Sequence, residues 1–454
     1  MAKNTMMGYL PNDAPPMGRL IILGFQHVLT MFPATVLVAA ICGFHIGTVL
    51  TISGIGTVVA LLLAKWRIGK FIPLFYGSSF SYIAAYLAIA NQMTGSFPTF
   101  GVALPNEVIS TMQAGIVVTG LLNVVIGFVI RSVGKAKVDM VLPPIVTGSV
   151  AAIIGFGLAY AALGLMASAN FLVAFVTLLS TILFSVYMQN KGFLGMIPVL
   201  LGAIVGYVFS LIVAPDPNQF APLQGAAWFA VPNFTLPNFS GPMVGTAIFS
   251  IAIMAIATIP ESTAHLYQIS LYVDRVAEDM GREKYELDKN VGFNLILDGI
   301  DDTLKGLFGA TAGTNYGENN SLMAITRNYS GPVLIASGVI AFLLGFVEIL
   351  AKAVQTVPTA VSGGLAIYLF GVIGMQGIAL MQEHKVSMFD PRNLAIGAVI
   401  MIVGIGGNIG FPNGFIPITI PGVFPDGLPS IATAAVLGIL LNAIFLIFKP
   451  SSDS

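Results

Sequence analysis

Tyr316-Gly317-Glu318-Asn319-Asn320-Ser321-Leu322-Met323-Ala324-Ile325-Thr326-Arg327 is a polar, glycine-containing break in a chain that is otherwise almost continuously apolar. A carboxylate at membrane depth costs several kcal/mol unless it is paired, neutralised or hydrated, so Glu318 marks a functional site by default. Around it, composition settles the class. With 56% hydrophobic and 9% charged residues, against about 25% charged in soluble domains, and a mean hydropathy of +0.90, the chain reads as a polytopic membrane protein.

Residues 1–17 are polar and proline-rich, and the apolar run from Leu20 to Ile41 exceeds the roughly 7–15 residues of a signal-peptide core, so it reads as a retained span. The single cysteine, Cys42, excludes an internal disulfide and a cysteine-based metal site. A net charge of −1 says little about partners; no nucleic-acid partner is expected.

A window of about 20 residues gives fourteen candidate segments, near 19–41, 46–64, 71–90, 113–132, 141–163, 170–188, 193–214, 243–270, 290–308, 316–326, 331–350, 360–380, 393–408 and 429–448. With a cytoplasmic N-terminus, every Lys and Arg except Lys305 and Lys352 falls on the inside, from Lys3 to Lys449. The positive-inside rule thus supports this count with both termini cytoplasmic.

The two weak segments are the third, interrupted by Gly77-Ser78-Ser79, and the tenth, which is short and polar; each is third in its half. Paired broken segments point to the substrate site of inverted-repeat transporters. Residues 75–82 and 314–319 are therefore expected to face each other near the midplane. The alternative is that the Gly-Ser breaks only ease helix packing.

Glu261 and His265 are four apart and share a helix face, with Pro260 disturbing the turn beside them. Imidazole titrates near neutral pH, so this pair points to proton coupling; the alternative is a lateral hydrogen bond between helices. A metal site is disfavoured because the other histidines, His27, His45 and His384, lie far off in sequence. Gln26 and His27 either contact substrate or bond one helix to another. Asp298, Asp301 and Asp302 make the ninth segment amphipathic, which places it partly in the interface or against water. No P-loop, dinucleotide fingerprint or catalytic triad pattern occurs, so no ATP motor, cofactor or enzymatic activity is expected.

The stretch Tyr316 to Arg327 resembles the signature of the nucleobase-ascorbate transporter family in its bacterial uracil-permease branch. Gln26-His27 with Met31-Phe32 and residues 34–38, then Gly77-Ser78-Ser79-Phe80, then Glu261 with His265 agree with it. The resemblance implies an all-α fold of fourteen segments in two inverted repeats of seven, with short extended stretches in segments 3 and 10. It implies a core domain at 19–135 and 243–355, a gate domain at 136–242 and 356–454, and a cytoplasmic tail at 1–18.

By the same resemblance the substrate is a nucleobase, most simply uracil or a related pyrimidine, imported by proton symport; the alternatives are a purine or xanthine permease and an anion transporter of the same plan. Phe80 stacks on the base, Glu261 and Glu318 accept from ring N–H groups, Tyr316 and the Gly317 backbone contribute, and Glu261 with His265 couples protons. Secondary contacts are Gln26, His27, Tyr82, Asn319, Ser321 and Phe370. Ser321 stands where the family pattern has Gly, Pro33 replaces a small residue, and Phe370 takes the place of a Tyr near the site, with Tyr368 two residues away. A homodimer in a bacterial inner membrane is implied.

Overall fold

The computed structural model describes residues 8–188, 191, 194–195, 197–421, 424 and 427–448. Lys3 and Lys449, together with the outer part of each tail, lie outside the described residues.

Helices α1 (Met17–Cys42) and α2 (Ile46–Ile68) form a hairpin. Its turn is closed by Gly43 at φ 71°, a left-handed cap that only glycine adopts without strain. The chain then runs extended into strand β1 (Tyr76–Ser78) before a short turn and helix α3 (Ile83–Thr94). Gly77 and the serines after it are poor helix formers, and the Ser79 side chain accepts the Ser81 N–H to restart the helix. Next come α4 (Asn106–Val133), α5 (Lys135–Val141), α6 (Pro144–Gly157), α7 (Phe171–Tyr187) and α8 (Pro198–Val213).

The second half repeats the interruption. It comprises α9 (Val244–Ala252), α10 (Ala255–Asp279), α11 (Val291–Phe308), strand β2 (Gly313–Asn315) and α12 (Gly317–Thr326). Beyond these lie α13 (Gly331–Leu344), α14 (Glu348–Gln355), α15 (Thr359–Glu383), α16 (Pro391–Met401), α17 (Gly407–Gly410) and α18 (Ser430–Ile447), with a minor strand pair before the last helix.

Among the described residues, eight helical spans are long and apolar enough to cross a membrane, or nine if α13 and α14, bent by 73°, make one span. Large apolar side chains such as Phe171, Phe175, Ile204, Ile212 and Leu394 stand exposed on the outside. That surface suits lipid rather than water. Helices α1 to α4 pack chiefly with α9 to α13, whereas α6 to α8 pack chiefly with α15, α16 and α18.

Strands β1 and β2 pair antiparallel, with Tyr76 opposite Asn315, Gly77 opposite Thr314 and Ser78 opposite Gly313. The Tyr316 ring lies against Gly77, where an added Cβ would sit 2.2 Å from ring carbon. Close helix contacts likewise need small residues. At the α4–α11 interface a Cβ on Gly120 would meet the Gly299 carbonyl at 2.6 Å, and one on Gly127 would meet the Gly292 carbonyl at 2.5 Å.

This packing corrects the reading of the ninth segment. Asp298, Asp301 and Asp302 are buried rather than interfacial, because α11 is covered by α2, α4 and α10. Lys305, expected at the outer end of the ninth segment, is fully buried and pairs with Asp301 at 2.6 Å. The N-terminal stretch is also tied down: Tyr9 donates to the Arg327 carbonyl at 3.0 Å, and Tyr329 donates back to the Tyr9 carbonyl at 2.8 Å.

Candidate substrate-binding site

Two half-helices, α3 and α12, begin beside the strand pair, and a cavity of about 560 Å3 opens in front of them. Phe80, Glu261, His265, Tyr316, Gly317, Glu318 and Ser321 all line it. These seven come from three separate parts of the chain, so the strand crossing and the α10 face together assemble the site.

Glu318 occupies the first turn of α12 and is exposed to the cavity. No side chain caps this helix, so its first-turn N–H groups are available to acceptors on a ligand. The helix N-terminus also favours the Glu318 carboxylate by roughly 0.3–1 kcal/mol. Glu261 and His265 face the same space from α10, where Pro260 lacks an N–H and leaves the carbonyl four residues earlier without its helical donor.

The His265 ring is held in one orientation. Its Nδ1–H donates to the Asn315 backbone carbonyl at 2.9 Å and to Asn315 Oδ1 at 2.8 Å. Nε2 therefore faces Gly317, where an added Cβ would lie 2.7 Å from it. Gly317→Ala is accordingly expected to displace the imidazole and lower apparent substrate affinity by roughly tenfold or more, since misplacing one site group is felt throughout a preorganised site. A competition-binding titration on folded variant checks it; unchanged affinity would mean that His265 tolerates the shift.

Asn315 is a residue that sequence reasoning passed over. Its Nδ2 donates to Ser262 Oγ at 2.7 Å, Ser262 in turn donates to Asp298, and Asn294 donates to Ser262 Oγ at 2.8 Å. The network ties the His265 face of α10 to α11 and β2. Its only sequence signal is a run of short polar residues in otherwise apolar segments.

Several candidates fall away from the cavity. His27 is buried and its Nδ1 accepts from Asn319 Nδ2 at 3.0 Å, so this pair links α1 to α12. Gln26 is half-buried on the same helix, outside the lining. Tyr82 is buried with its hydroxyl 3.4 Å from Thr258 Oγ1. Tyr316 contributes to the cavity wall, but its ring packs against Gly77 and Phe75 and its hydroxyl turns inward, 2.8 Å from Thr35 Oγ1 and donating to the Ser78 carbonyl at 3.0 Å. Phe370 is buried away from the site, whereas Leu369 lines the cavity. On a helix, one residue turns a side chain by about 100°.

A second cavity of about 540 Å3 adjoins the first and shares Phe80, Glu318, Ser321, Leu369 and Val372 with it. Tyr368 lines this second space, its hydroxyl 2.5 Å from Ser185 Oγ. Phe80 and Glu318 thus stand where the two spaces meet. Among the described residues no cluster of three His, Cys, Asp or Glu side chains is placed to hold a metal ion.

The profile of a family described as "Permease family" matches residues 18–412. The chain belongs to this family, the nucleobase-ascorbate transporters. The uracil permease of Bacillus caldolyticus is 34% identical over 444 residues, spanning 95% of this chain and 93% of that relative. The uracil permease of Escherichia coli K12 is 32% identical over 447 residues, spanning 96% and 93%. These relatives are permeases, transporters rather than enzymes.

Similar folds occur in the transmembrane domain of the cyanobacterial bicarbonate transporter BicA, with a TM-score of 0.55 at 14% identity over 97% of this chain and 100% of that one. SLC26A9 gives a TM-score of 0.61 at 13% identity over 95% of this chain and 66% of that one. At such identities the likeness concerns the fold. The permease family member described here is a multi-pass membrane protein.

Proposed function

We propose that this permease imports a nucleobase, uracil or a related pyrimidine, by proton symport through alternating access. The observation that carries the reading is one cavity combining an aromatic face, Phe80, two carboxylate acceptors, Glu261 and Glu318, and the uncapped N-terminus of α12. A uracil edge offers N–H donors and C=O acceptors on a flat ring, and this set complements all three. The uracil permeases among its relatives support the same substrate.

In this reading the shorter and broken elements complete fourteen crossings in two inverted halves, with β1 and β2 at the midplane. Residues 19–135 and 243–355 form the core, residues 136–242 and 356–454 the gate, and the two move as rigid bodies. Residues 1–18 form a cytoplasmic tail, and with the basic loops inside, the cavity leads toward the cytoplasmic end of α15 at Glu383. The coupling proton is carried by Glu261 with His265, no cofactor takes part, and the protein works as a homodimer in a bacterial inner membrane.

A purine or xanthine substrate is the second reading, favoured by the adjoining cavity beside Phe80 and Glu318, which has room for a second ring. Anion transport suits the fold relatives but not a site presenting two acids. Thermal melting of the purified protein with uracil, thymine, xanthine, uric acid or sulfate separates the three. Uracil at about 100 times its Kd is expected to add about 2.7 kcal/mol of apparent stability. Stabilisation by xanthine or sulfate without any by uracil would overturn the assignment.

A further inference from the structure

Lys305 has no role in the site described above, yet it is fully buried behind it. Its ammonium lies 2.6 Å from Asp301 Oδ2 and donates to the Gly77 carbonyl of β1 at 2.8 Å. Asp301 is itself buried, and neither of its oxygens has a hydrogen-bond donor besides this ammonium. Helix α2 seals the carboxylate in, since a Cβ on Gly56 would come within 1.8 Å of Asp301 Oδ1. On the opposite strand, a Cβ on Gly313 would fall 2.1 Å from Lys305 Nζ. Asp302 fastens that strand by accepting the Gly313 N–H at 2.6 Å.

Unwound backbone carbonyls are the groups with which discontinuous transport segments coordinate Na+, and a carboxylate oxygen is a common partner of a hard cation. Here one positive charge already sits between them, delivered on a side chain rooted one turn along the same helix as Asp301. Without it, a buried carboxylate and a strand carbonyl would face each other with no cation between them, a costly arrangement in low dielectric. We propose that Lys305 is a tethered cation that fills a latent Na+ site formed by Asp301 and the Gly77 carbonyl. The strand pair carrying the substrate cavity is thereby held without any inorganic ion, and ion dependence is confined to the groups facing the cavity. The proposal deepens the transport reading but stands on the cation contacts alone.

The test compares melting of purified wild type, Lys305→Ala and Lys305→Met in NaCl and in choline chloride at equal ionic strength, with no substrate present. The wild type is expected to melt alike in both salts. Lys305→Ala is expected to melt lower in choline and to recover with Na+ by a few degrees in a saturable way. Lys305→Met fills the space and is expected to show no Na+ response. Na+-dependent melting of the wild type would overturn the proposal, as would identical melting of Lys305→Ala in the two salts or its failure to fold in either.

The double variant Asp301→Asn with Lys305→Met removes both charges and is expected to fold and to ignore Na+; a Na+ response persisting there would place the ion elsewhere and overturn the proposal. Uptake of labelled uracil supplies a separate reading, expected to gain Na+ dependence in Lys305→Ala. If the wild type transports no uracil, the functional assignment fails while the melting result still judges the cation site.

Discussion

Glu261→Gln is expected to reduce concentrative uptake of uracil to background while leaving exchange of labelled base across the membrane measurable. Glutamine keeps the shape of the side chain on the cavity wall and keeps an acceptor oxygen, but it cannot gain and lose a proton. A symporter so altered still binds and reorients, yet no longer harvests the gradient. Loss of one hydrogen bond to a charged acceptor is worth about 1.5–3 kcal/mol, which lowers exchange affinity roughly 10- to 150-fold. Membrane vesicles with an imposed pH gradient provide the measurement. The wild type should accumulate uracil and lose it on adding a protonophore. Accumulation by the variant, or wild-type uptake that follows Na+ and ignores pH, would sink the proton assignment.

Glu318→Gln is expected to strike selectivity as well as affinity. The carboxylate sits in the first turn of α12, at the junction of the two cavities. Its neutral replacement forfeits both the interaction with the helix terminus and a charged acceptor for a ring N–H. A site built to bond one N–H rejects analogues that lack it, because the buried acceptor is otherwise left unpaired. The variant should therefore lose roughly 10- to 150-fold in uracil affinity and discriminate less against N-methylated analogues, as read by competition for uptake. Unchanged affinity together with unchanged preference would remove Glu318 from the site.

What could be read from sequence followed from local chemistry. Glycine, serine and an acid inside apolar runs reveal the interruptions near Gly77 and Gly317, and Glu261 with His265 share a face by simple helical spacing. Contacts made only in three dimensions were not legible. Lys305 reads as a charge at the outer end of its segment until the Gly77 carbonyl is seen beside it. Asp298, Asp301 and Asp302 suggest a wet helix, yet Asp298 and Asp302 take donors from elsewhere, Ser262 on α10, Asn123 on α4 and Gly313 on β2, and Asp301 is met by Lys305 of its own helix. Phe370 was misplaced because α15 is apolar nearly all round, so no polar face fixes its rotation. Leu369 and Tyr368 point where Phe370 was expected to point.

The pairing of β1 with β2 also carries a consequence for biosynthesis. Tyr76 finds its strand partner only at Asn315, so the chain must be synthesised well into its second half before the first strand can close its ladder. Until then a length of extended backbone has to wait, and hydrocarbon offers it nothing to bond to. The third segment should therefore stay beside the insertion machinery or in a hydrated groove while later helices emerge, and a chain stalled before residue 313 should leave that segment accessible to aqueous thiol reagents at an introduced cysteine.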